Sequence, residues 1–390
     1  MPDSQVQASA GASELTIGAV DALPAGGLEE RLAEGRPLRV KLGIDPTAAD
    51  IHLGHVVVLE KLRQFQAAGH QAVVIIGDYT ARVGDPSGRS SLRPELSPEQ
   101  IDANATTFQE QAFKVLDPEL TEVRFNSEWL DMPSAELFAL ARRFTVARLL
   151  ERDDFTNRMA AAEPISLLEL LYPVLQGYDS VAVESDIELG GTDQKFNLLF
   201  GRDVQTSFGQ RPQLILTMPI LPGTDGRKKM SKSLGNHVGV TEPPAEIFGK
   251  LMSVPDSALG QYWELLLGEQ LDPDRKPMDA KEELARRICD RFGGPGAGAE
   301  GQAHFDRVHR ERSVPEDIPE VTIGDGDPVH LPALLRDAFG ISGSEARRML
   351  GQGAVKLEGE RLDAEPIDVP KADLEGRVLQ LGKRRFARLR

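Results

Sequence analysis

LRVKLGIDPTAADIHLGHVVVLEKLRQFQAAGHQAVVIIG, residues 38–77, contains two apolar runs separated by an amphipathic stretch. Leu38–Ile44 and Ala72–Gly77 are each predicted to form a buried strand, because continuous apolar runs are typical of a parallel sheet covered on both faces. Between them, the apolar spacing of Gly54–Ala68 predicts a helix that ends at Gly69. This order of strand, helix and strand predicts a right-handed crossover, the opening unit of a doubly wound α/β domain.

The pattern continues beyond this unit. Further strands are predicted at Asp186–Leu189 and Leu214–Thr217, and helices at Ser166–Gln176 and Gln194–Phe208. After Pro243 the periodicity becomes helical, which predicts a second, helical region. A chain of 390 residues exceeds what one hydrophobic core usually organises, so two or three domains are expected.

The last sixty residues are predicted to form a separate compact unit. An acidic stretch with prolines at residues 315–328 precedes it and is the best candidate for a linker. Leu331–Phe339 is predicted to be a helix, Ser342–Glu345 the capping box of a second helix, and Ala354–Leu362 a hairpin that turns at Glu358 and Gly359. From Leu331 onward, twelve Lys and Arg stand against nine Asp and Glu. The closing KRRFARLR has no acid; alone, such a run is typical of a solvated tail.

Composition excludes several classes of protein. The net charge of -16 argues against a protein that coats nucleic acid indiscriminately. The single cysteine, Cys289, excludes an intramolecular disulfide and a multi-cysteine zinc site, so metal is expected only with the substrate. We find no run of eighteen apolar residues, and Met1–Glu14 lacks the layout of a signal peptide. These features predict a soluble, cytoplasmic protein with no membrane association.

His52-Leu53-Gly54-His55 lies between the first predicted strand and its helix. Unpaired backbone N–H groups and the helix dipole favour a phosphate there, two imidazoles can donate to it, and Gly54 allows close approach. A bare pair of histidines at this spacing is more often solvent-facing, or half of a metal site. No cysteine or third histidine lies nearby in sequence to complete a metal site.

A second basic segment follows the last predicted strand. Residues 227–235 read RKKMSKSLG and form a polar loop flanked by glycine. Lys229 and Lys232 could close over a triphosphate and neutralise the departing pyrophosphate, although an exposed basic loop is the simpler reading of this segment alone. Together with His52-Leu53-Gly54-His55, in this order, the loop resembles the KMSKS signature that accompanies HIGH in class I aminoacyl-tRNA synthetases.

Three further segments resemble tyrosyl-tRNA synthetases in particular. Tyr172, Gln176 and Asp179 share one face if residues 170–179 (LLYPVLQGYD) are helical, and that segment is similar to the family's tyrosine-pocket helix. Residues 190–197 (GGTDQKFN) resemble its GGxDQ segment. The third match is GD at residues 77–78 with GDPSG at residues 84–88.

The resemblance implies the residues of two binding sites. Asp179 would accept a hydrogen bond from the tyrosine phenol, Asp85, Tyr172 and Gln176 would hold the ammonium group, and Gln194 would lie beside the carboxyl group. The implied ATP contacts are Gly43, Asp45, Thr47, His52, Gly54, His55, Asp193, Lys229, Met230, Ser231, Lys232 and Ser233. Of these, Asp193 would bind the ribose, and His52, His55, Lys229 and Lys232 would be catalytic.

The C-terminal unit resembles an RNA-binding domain shared with a ribosomal protein, here called S-four-like, through SEARR at residues 344–348 and GQGAVK at residues 351–356. The implied RNA contacts are Arg347, Arg348, Lys356, Lys383, Arg384 and Arg385. The expected organisation is an N-terminal segment (1–35) whose first part is disordered, a Rossmann-like α/β catalytic domain (36–242), a helical anticodon-side domain (243–314), an acidic linker (315–329) and the α+β S-four-like domain (330–390).

The resemblance implies a homodimer that joins L-tyrosine to tRNA(Tyr). ATP is the expected substrate and brings Mg²⁺ with it, and no tightly bound protein metal is expected. Lys41 stands where one bacterial branch has a tyrosine that contacts the phenol; here the signature KLGxDPTxxDxHLGH fits the other branch. A strand-edge lysine and a pocket residue both remain open readings of Lys41. The alternative functions are a tryptophanyl-tRNA synthetase, a non-catalytic RNA-binding relative, and another nucleotidylyltransferase of the same superfamily.

Overall fold

The computed structural model describes residues 11–46, 50–86, 97–309, 318–324, 326–362, 365–382 and 385–390. Several predictions therefore lie outside the described residues: the roles of Thr47, Lys383 and Arg384, the last two positions of the GDPSG match, the disordered start of the chain, and residues 315–317 and 325 of the linker. The chain divides into two compact units, Met1–His304 and Phe305–Arg390. Within the described ranges, no helix has the length and apolar character needed to cross a membrane.

The described part of the first unit is built on a six-stranded sheet with the order β1-β6-β5-β2-β3-β4. Strands β2 to β6 run parallel, and β1 pairs antiparallel with β6 at one edge. The strands are β1 (Asp21–Leu23), β2 (Arg39–Ile44), β3 (Gln71–Ile76), β4 (Thr121–Phe125), β5 (Ile187–Gly191) and β6 (Leu214–Met218). This is the predicted doubly wound α/β architecture.

Helices cover this sheet and extend the chain beyond it. They are α1 (which includes residues 11–15), α2 (Gly27–Leu32), α3 (Leu53–Ala67), α4 (Thr80–Val83), α5 (Pro98–Ala112), α6 (Ser127–Leu130), α7 (Ser134–Ala141), α8 (Val146–Leu149), α9 (Asp153–Ala160), α10 (Leu167–Ala182) and α11 (Lys195–Ser207). The helical region that follows contains α12 (Pro244–Met252), α13 (Leu259–Leu267), α14 (Pro277–Gly293) and α15 (Ala297–His309).

Helix α10 continues to Ala182, six residues past its predicted end at Gln176. Pro173 lies inside the helix and removes one backbone donor, but packing against α11 outweighs this loss. Gly177 permits that packing, since a Cβ atom there would lie 2.5 Å from the Val204 side chain.

Lys41 is the clearest correction in this sheet. The strand-edge interpretation of Lys41 is wrong, because β2 lies between β5 and β3 and the Lys41 side chain is fully buried. Mainly apolar runs identified β2, β3, β5 and β6 correctly, although β2 contains Lys41 and β5 contains Glu188. By contrast, β4 (TEVRF) alternates charged and apolar residues and escaped prediction, as did α5 to α9.

The second unit contains a five-stranded sheet with the order β10-β9-β12-β13-β7 and a two-stranded pair, β11 with β8. Its elements are β7 (Glu320–Val321), β8 (Val329–His330), α16 (Leu331–Phe339), α17 (Gly343–Gly351), β9 (Val355–Leu357), β10 (Glu360–Arg361), β11 (Asp368–Val369), β12 (Val378–Leu381) and β13 (Arg385–Leu389). The core joins the helices to one face of this sheet, with Leu335, Leu350 and Leu379 buried.

Both helices and the hairpin of this unit were predicted correctly. Ser342 caps α17 by accepting a hydrogen bond from Glu345 N–H, which is one half of the predicted capping box. Strands β9 and β10 turn at Glu358 and Gly359, which both have positive φ. Arg385–Leu389 of the basic run form a strand rather than a solvated tail, since β13 pairs with β12. Two residues of the predicted linker, Glu320 and Val321, also belong to the sheet through β7, which is too short to give a periodic signal.

Candidate active site

A cleft of about 990 Å³ opens at the carboxyl end of the parallel sheet. Between β2 and β5 the strand order reverses, because β3 and β4 extend the sheet on one side and β5 and β6 lie on the other. A crevice forms at such a switch point, where α/β sheets usually bind nucleotides. Its lining includes residues at or just after the ends of five strands: Gly43, Asp45, Gly77, Asn126, Gly190, Gly191 and Pro219.

The structure brings the predicted ATP and tyrosine residues together in this one cleft. Those that the structure describes all line it: Gly43, Asp45, His52, Gly54, His55, Asp85, Tyr172, Gln176, Asp179, Asp193, Gln194, Lys229, Met230, Ser231, Lys232 and Ser233. Segments separated by almost two hundred residues in the sequence therefore share one cavity. Such convergence is expected of a substrate site rather than of unrelated surface features.

The two signature histidines are held at the N terminus of α3 with defined proton positions. Gly54 N–H donates to His52 Nδ1 and His52 N–H donates to His55 Nδ1, each at 3.2 Å. Because each Nδ1 accepts, the neutral ring carries its proton on Nε2. Burial lowers the pKa of His52 to about 2 and that of His55 to about 4, and neighbouring positive charges add to the effect. At neutral pH the pair therefore offers uncharged N–H donors.

The signature lysines have carboxylate partners. Lys229 Nζ lies 3.2 Å from Asp193 Oδ2, and Lys232 Nζ pairs with Asp50. All four side chains are at least 30% exposed, so these ion pairs contribute little and can exchange for an anion of higher charge. The arrangement provides two exposed cations in the lining of the cleft for a triphosphate.

Backbone contacts fasten the chain that follows this loop to the histidine segment. Leu53 N–H donates to Val238 O at 2.9 Å, and Val240 N–H donates to Ile51 O at 3.0 Å. The loop itself is braced by Asn236, whose side chain accepts from Ser231 N–H at 2.8 Å. The two signatures are thus parts of one folded site.

Asp179 is the most distinctive ionisable group in the cleft. Its side chain accepts hydrogen bonds from Trp129 Nε1 at 2.9 Å and from Asn126 Nδ2 at 3.4 Å. Burial raises the pKa of Asp179 to about 7, although the positive charge of Lys41 and the two donors act in the opposite direction. A buried carboxylate with oriented partners can read a donor group on a ligand.

Tyr172 and Asp45 are hydrogen-bonded to each other across the cleft lining. Tyr172 Oη donates to Asp45 Oδ2 at 2.9 Å, and Thr80 Oγ1 donates to Asp45 Oδ1 at 2.7 Å. Burial and the nearby carboxylates raise the pKa of Tyr172 well above its usual value, so its phenol stays protonated. The resemblance implied that Tyr172 contacts the ammonium group and that Asp45 contacts the adenylate. The structure shows that these two side chains are adjacent.

A network of amides surrounds Asp85. Gln194 Nε2 donates to Asp85 Oδ2 at 2.7 Å, and Arg152 Nη2 lies 3.5 Å from Asp85 Oδ1. Asn197 Nδ2 joins the network by donating to Gln176 Oε1 at 2.9 Å and to Gln194 Oε1 at 3.1 Å. Three of the predicted tyrosine-binding residues are therefore positioned by one hydrogen-bonded cluster.

Sequence reasoning missed several residues of this site. Asn126 and Trp129, which contact Asp179, follow the unpredicted strand β4 and had no signal. Asp50 and Asn197 both lie inside segments that were quoted as signatures, so a signal was present but no role was assigned. Glu188, which lines the cleft, sits in a strand prediction where an apolar residue was expected.

The C-terminal candidates fall on different surfaces. Arg347 and Arg348 are exposed on α17, and Lys356 is half-buried on β9. Lys356 is in register with Gln380 and Phe386, whereas Arg385 is in register with Leu381 and Val355 on the core-facing side of the sheet. Because successive side chains of a strand point to opposite faces of the sheet, Arg385 and Lys356 lie on opposite faces.

Comparisons with known proteins agree with this geometry. Residues 33–288 match the family model of the class I tRNA synthetases (W and Y). A nucleotide cleft at the switch point of a parallel sheet, with neutral histidines at a helix N terminus and a lysine loop, defines the chain as a class I aminoacyl-tRNA synthetase.

Curated relatives define the amino acid. The chain is 53% identical over 375 residues to the tyrosine–tRNA ligase of Moorella thermoacetica, covering 93% of this chain and 90% of that protein. It is 52% identical over 376 residues to that of Oleidesulfovibrio alaskensis, covering 93% and 94%. The chain therefore belongs to the bacterial tyrosyl-tRNA synthetases: it is an enzyme that uses ATP to join tyrosine to tRNA. The tryptophanyl and non-catalytic alternatives are set aside.

Solved structures show the same fold at much lower identity. The tyrosyl-tRNA synthetase of Archaeoglobus fulgidus, complexed with L-tyrosine, matches with a TM-score of 0.62 at 22% identity and covers 75% of this chain and 99% of that one. A C-terminally truncated mitochondrial enzyme of Aspergillus nidulans gives a TM-score of 0.62 at 19% identity, covering 79% and 100%. The α/β architecture is thus shared despite extensive sequence divergence.

Proposed function

We propose that Asp179 reads the substrate phenol and that the amide cluster receives the amino-acid end. In this assignment Asp179 accepts the phenol hydrogen bond, Asp85, Tyr172 and Gln176 hold the ammonium group, and Gln194 lies beside the carboxylate. The observation that carries the assignment is the burial of Asp179 between two oriented donors on the wall of the cleft. Phenylalanine would leave this carboxylate without a ligand donor, which penalises its binding.

The proposed chemistry has two steps. A carboxylate oxygen of tyrosine attacks the α-phosphorus of ATP, a P–O bond forms, and the bond to the bridging oxygen breaks as pyrophosphate departs with Mg²⁺. A ribose hydroxyl of the tRNA 3′ end then attacks the tyrosyl carbonyl and releases AMP. Gly43, Asp45, Thr47 and Asp193 would contact the nucleotide, and His52 and His55 would donate Nε2–H groups to the phosphates. Lys229 and Lys232 would stabilise the departing pyrophosphate.

Exchange of labelled pyrophosphate into ATP tests this assignment. We expect L-tyrosine to support exchange and tryptophan and phenylalanine to support almost none, because Asp179 requires a phenol donor. We also expect a chelator to stop the reaction and added Mg²⁺ to restore it, since the metal enters with ATP. Exchange that depends on tryptophan, or that persists in excess chelator, would contradict the proposal.

We further propose that the C-terminal unit binds tRNA and that the helical region 243–314 faces the anticodon side of that RNA. The exposed Arg347 and Arg348 support the first proposal, as does the local excess of Lys and Arg over Asp and Glu after residue 330. Lys356, Lys383, Arg384 and Arg385 complete the proposed RNA contacts. The tyrosine and ATP residues all precede Leu234, so activation and RNA anchoring should be separable.

A chain ending at His309 is expected to keep tyrosine activation and to lose tRNA affinity. The cut leaves the cleft intact and removes the whole C-terminal sheet, including β7. Pyrophosphate exchange should remain close to the full-length rate. The apparent KM for tRNA should rise at least about tenfold, with a shallower salt dependence, because phosphate contacts are lost. Unchanged charging kinetics would show that the unit is not an RNA anchor, whereas loss of exchange would place the domain boundary elsewhere.

A cytoplasmic homodimer is the proposed working form. Four large apolar side chains on α7 to α10 support this proposal by their exposure: Phe138 at 69%, Val146 at 56%, Met159 at 56% and Leu167 at 74%. Sedimentation equilibrium should give twice the mass of one chain, and Leu167→Asp should shift the equilibrium toward monomer. A monomeric wild-type protein at micromolar concentration would contradict the dimer, and recovery in the membrane fraction of cells would contradict the location.

A further inference from the structure

A buried ion pair lies directly behind the proposed phenol site. Lys41 on β2 and Glu188 on the adjacent strand β5 are both fully buried, and Lys41 Nζ lies 2.8 Å from Glu188 Oε1. Lys41 Nζ also donates to Ser180 Oγ at 2.6 Å and to Gln176 O at 3.4 Å. The ammonium group therefore contacts α10 at two positions in addition to its carboxylate partner.

Glu188 connects the pair to the cleft. It lines the cavity, and its Oε1 accepts a hydrogen bond from Gln176 Nε2 at 3.4 Å. Its Oε2 accepts from Ser180 Oγ at 3.3 Å and from Gln213 Nε2. Lys41 and Glu188 thus hold α10 on both sides of Asp179, at Gln176 and at Ser180.

Stability alone is a weak reason for this arrangement. Desolvating two charges costs about as much as their attraction returns, and well-packed apolar residues at such positions are often as stable or more stable. The neighbouring β2 and β5 residues Val40, Leu42, Ile187 and Leu189 are apolar and buried, as expected for a central sheet. A charged pair at this one register position is therefore better explained by what it contacts.

Asp179 is the charged group nearest to this pair on α10. The positive charge of Lys41 lowers the pKa of Asp179, whereas the negative charge of Glu188 raises it. The other groups that face the pocket are Tyr172 on the same helix, Asp45 after β2 and Asp85 after α4, and Trp129 and Asn126 donate to Asp179 directly. Lys41 supplies the positive charge that acts on Asp179.

We propose that Lys41 and Glu188 are positioning residues for tyrosine specificity: the pair fixes the Gln176–Ser180 turn of α10, and its cationic half keeps Asp179 ionised for the phenol. This proposal rests on the assigned role of Asp179 and deepens it. It also gives a function to the residue that stands in place of a phenol-contacting tyrosine. In place of a second hydrogen bond to the phenol, this chain has a charge that controls the ionisation of Asp179, the proposed partner of the phenol.

The test uses the pH dependence of tyrosine binding by full-length protein. In Lys41→Met the acid limb of the affinity profile should move to higher pH by about one unit, because an attractive charge is removed. At a pH below the limb this corresponds to about tenfold weaker binding. In Glu188→Gln the limb should move to lower pH, and the double variant Lys41→Met/Glu188→Gln should return toward the wild-type profile.

Matched variants separate positioning from folding. Arg31 and Asp186 form another ion pair of the same unit, 3.2 Å apart and mostly buried, so Arg31→Met controls for the loss of a buried charge. It should lower the unfolding temperature without moving the limb. If Lys41→Met weakens tyrosine binding with an unmoved limb, or if both single variants move it in one direction, the proposal is wrong. Should Lys41→Met fail to fold, Glu188→Gln and the double variant decide the question by the same criterion.

Failure of the underlying assignment would look different. Asp179→Asn should abolish the acid limb and weaken tyrosine binding in any case where Asp179 reads the phenol. If Asp179→Asn binds tyrosine normally, the proposed function of Asp179 fails. If Asp179→Asn loses tyrosine binding while the Lys41 and Glu188 variants leave the pH profile of tyrosine affinity unchanged, only the positioning proposal fails.

Discussion

Asp179→Asn is expected to lower kcat/KM for tyrosine in pyrophosphate exchange by about ten- to a hundred-fold. A hydrogen bond to a charged group contributes about 1.5–3 kcal/mol, and substrate loses that bond to the carboxylate. Asparagine has a similar volume, but its side chain has one acceptor oxygen where the carboxylate has two. Trp129 Nε1 and Asn126 Nδ2 both donate to Asp179, so one of these donors would face an NH₂ group. The effect should appear in tyrosine affinity as well as in rate.

The pH dependence of tyrosine affinity should follow the ionisation of Asp179. With a pKa of about 7, Asp179 is increasingly protonated as the pH falls below neutrality. A phenol donor prefers the ionised form, so tyrosine affinity should fall as the pH drops through that range and should level off above it. The histidines should contribute no limb there, because the pKa values of His52 and His55 are lowered to about 2 and 4.

Controls separate this effect from misfolding. Equilibrium binding of ATP by Asp179→Asn should stay close to that of the wild-type protein, because Asp179 is not among the proposed nucleotide contacts. The acid limb near neutrality should disappear in the variant. Normal tyrosine activation by Asp179→Asn, or an unchanged limb, would show that another group reads the phenol.

The strands that were predicted correctly share one physical property. In β2, β3, β5 and β6 both faces of a parallel sheet are buried, so a mainly apolar run identifies each strand without reference to the rest of the fold, even where β2 and β5 each contain a buried charge. The edge strand β4 carries Glu122 and Arg124, which pair with Arg39 and Glu128 at the surface. Its alternation of charged and apolar residues is a local signal of a half-buried strand, and a search for apolar runs overlooks it.

The candidate site divides in the same way. Signature residues such as His52 and Lys232 could be predicted because a short local segment carries the whole motif. Trp129 and Asn126 could not, since they reach Asp179 only when β4 and α10 are brought together by the fold. Lys41 shows the limit of sequence-based prediction most clearly. Its role depends on its ion-pair partner Glu188, which lies more than a hundred residues away in the sequence.

The second large effect is expected in the lysine loop. Lys229→Ala and Lys232→Ala should each lower the single-turnover rate of tyrosyl-adenylate formation by about 100-fold, the usual cost of removing one group that stabilises transition-state charge. Tyrosine affinity should be almost unchanged, because neither lysine belongs to the proposed amino-acid pocket. Rapid-quench measurement of adenylate, together with equilibrium binding of tyrosine, separates the two quantities.

The structure explains why these lysines should act late. Lys229 pairs with Asp193 and Lys232 with Asp50, and these exposed pairs hold the ammonium groups only weakly. The departing pyrophosphate concentrates more negative charge than either carboxylate, so the lysines gain most when the bond to it breaks. Lys228→Ala is the matched control, since Lys228 is an exposed lysine of the same loop and should leave the rate nearly unchanged. Weakened tyrosine binding with a normal rate constant in Lys229→Ala or Lys232→Ala would overturn the assigned role, and equal losses in Lys228→Ala would reduce it to the general charge of the loop.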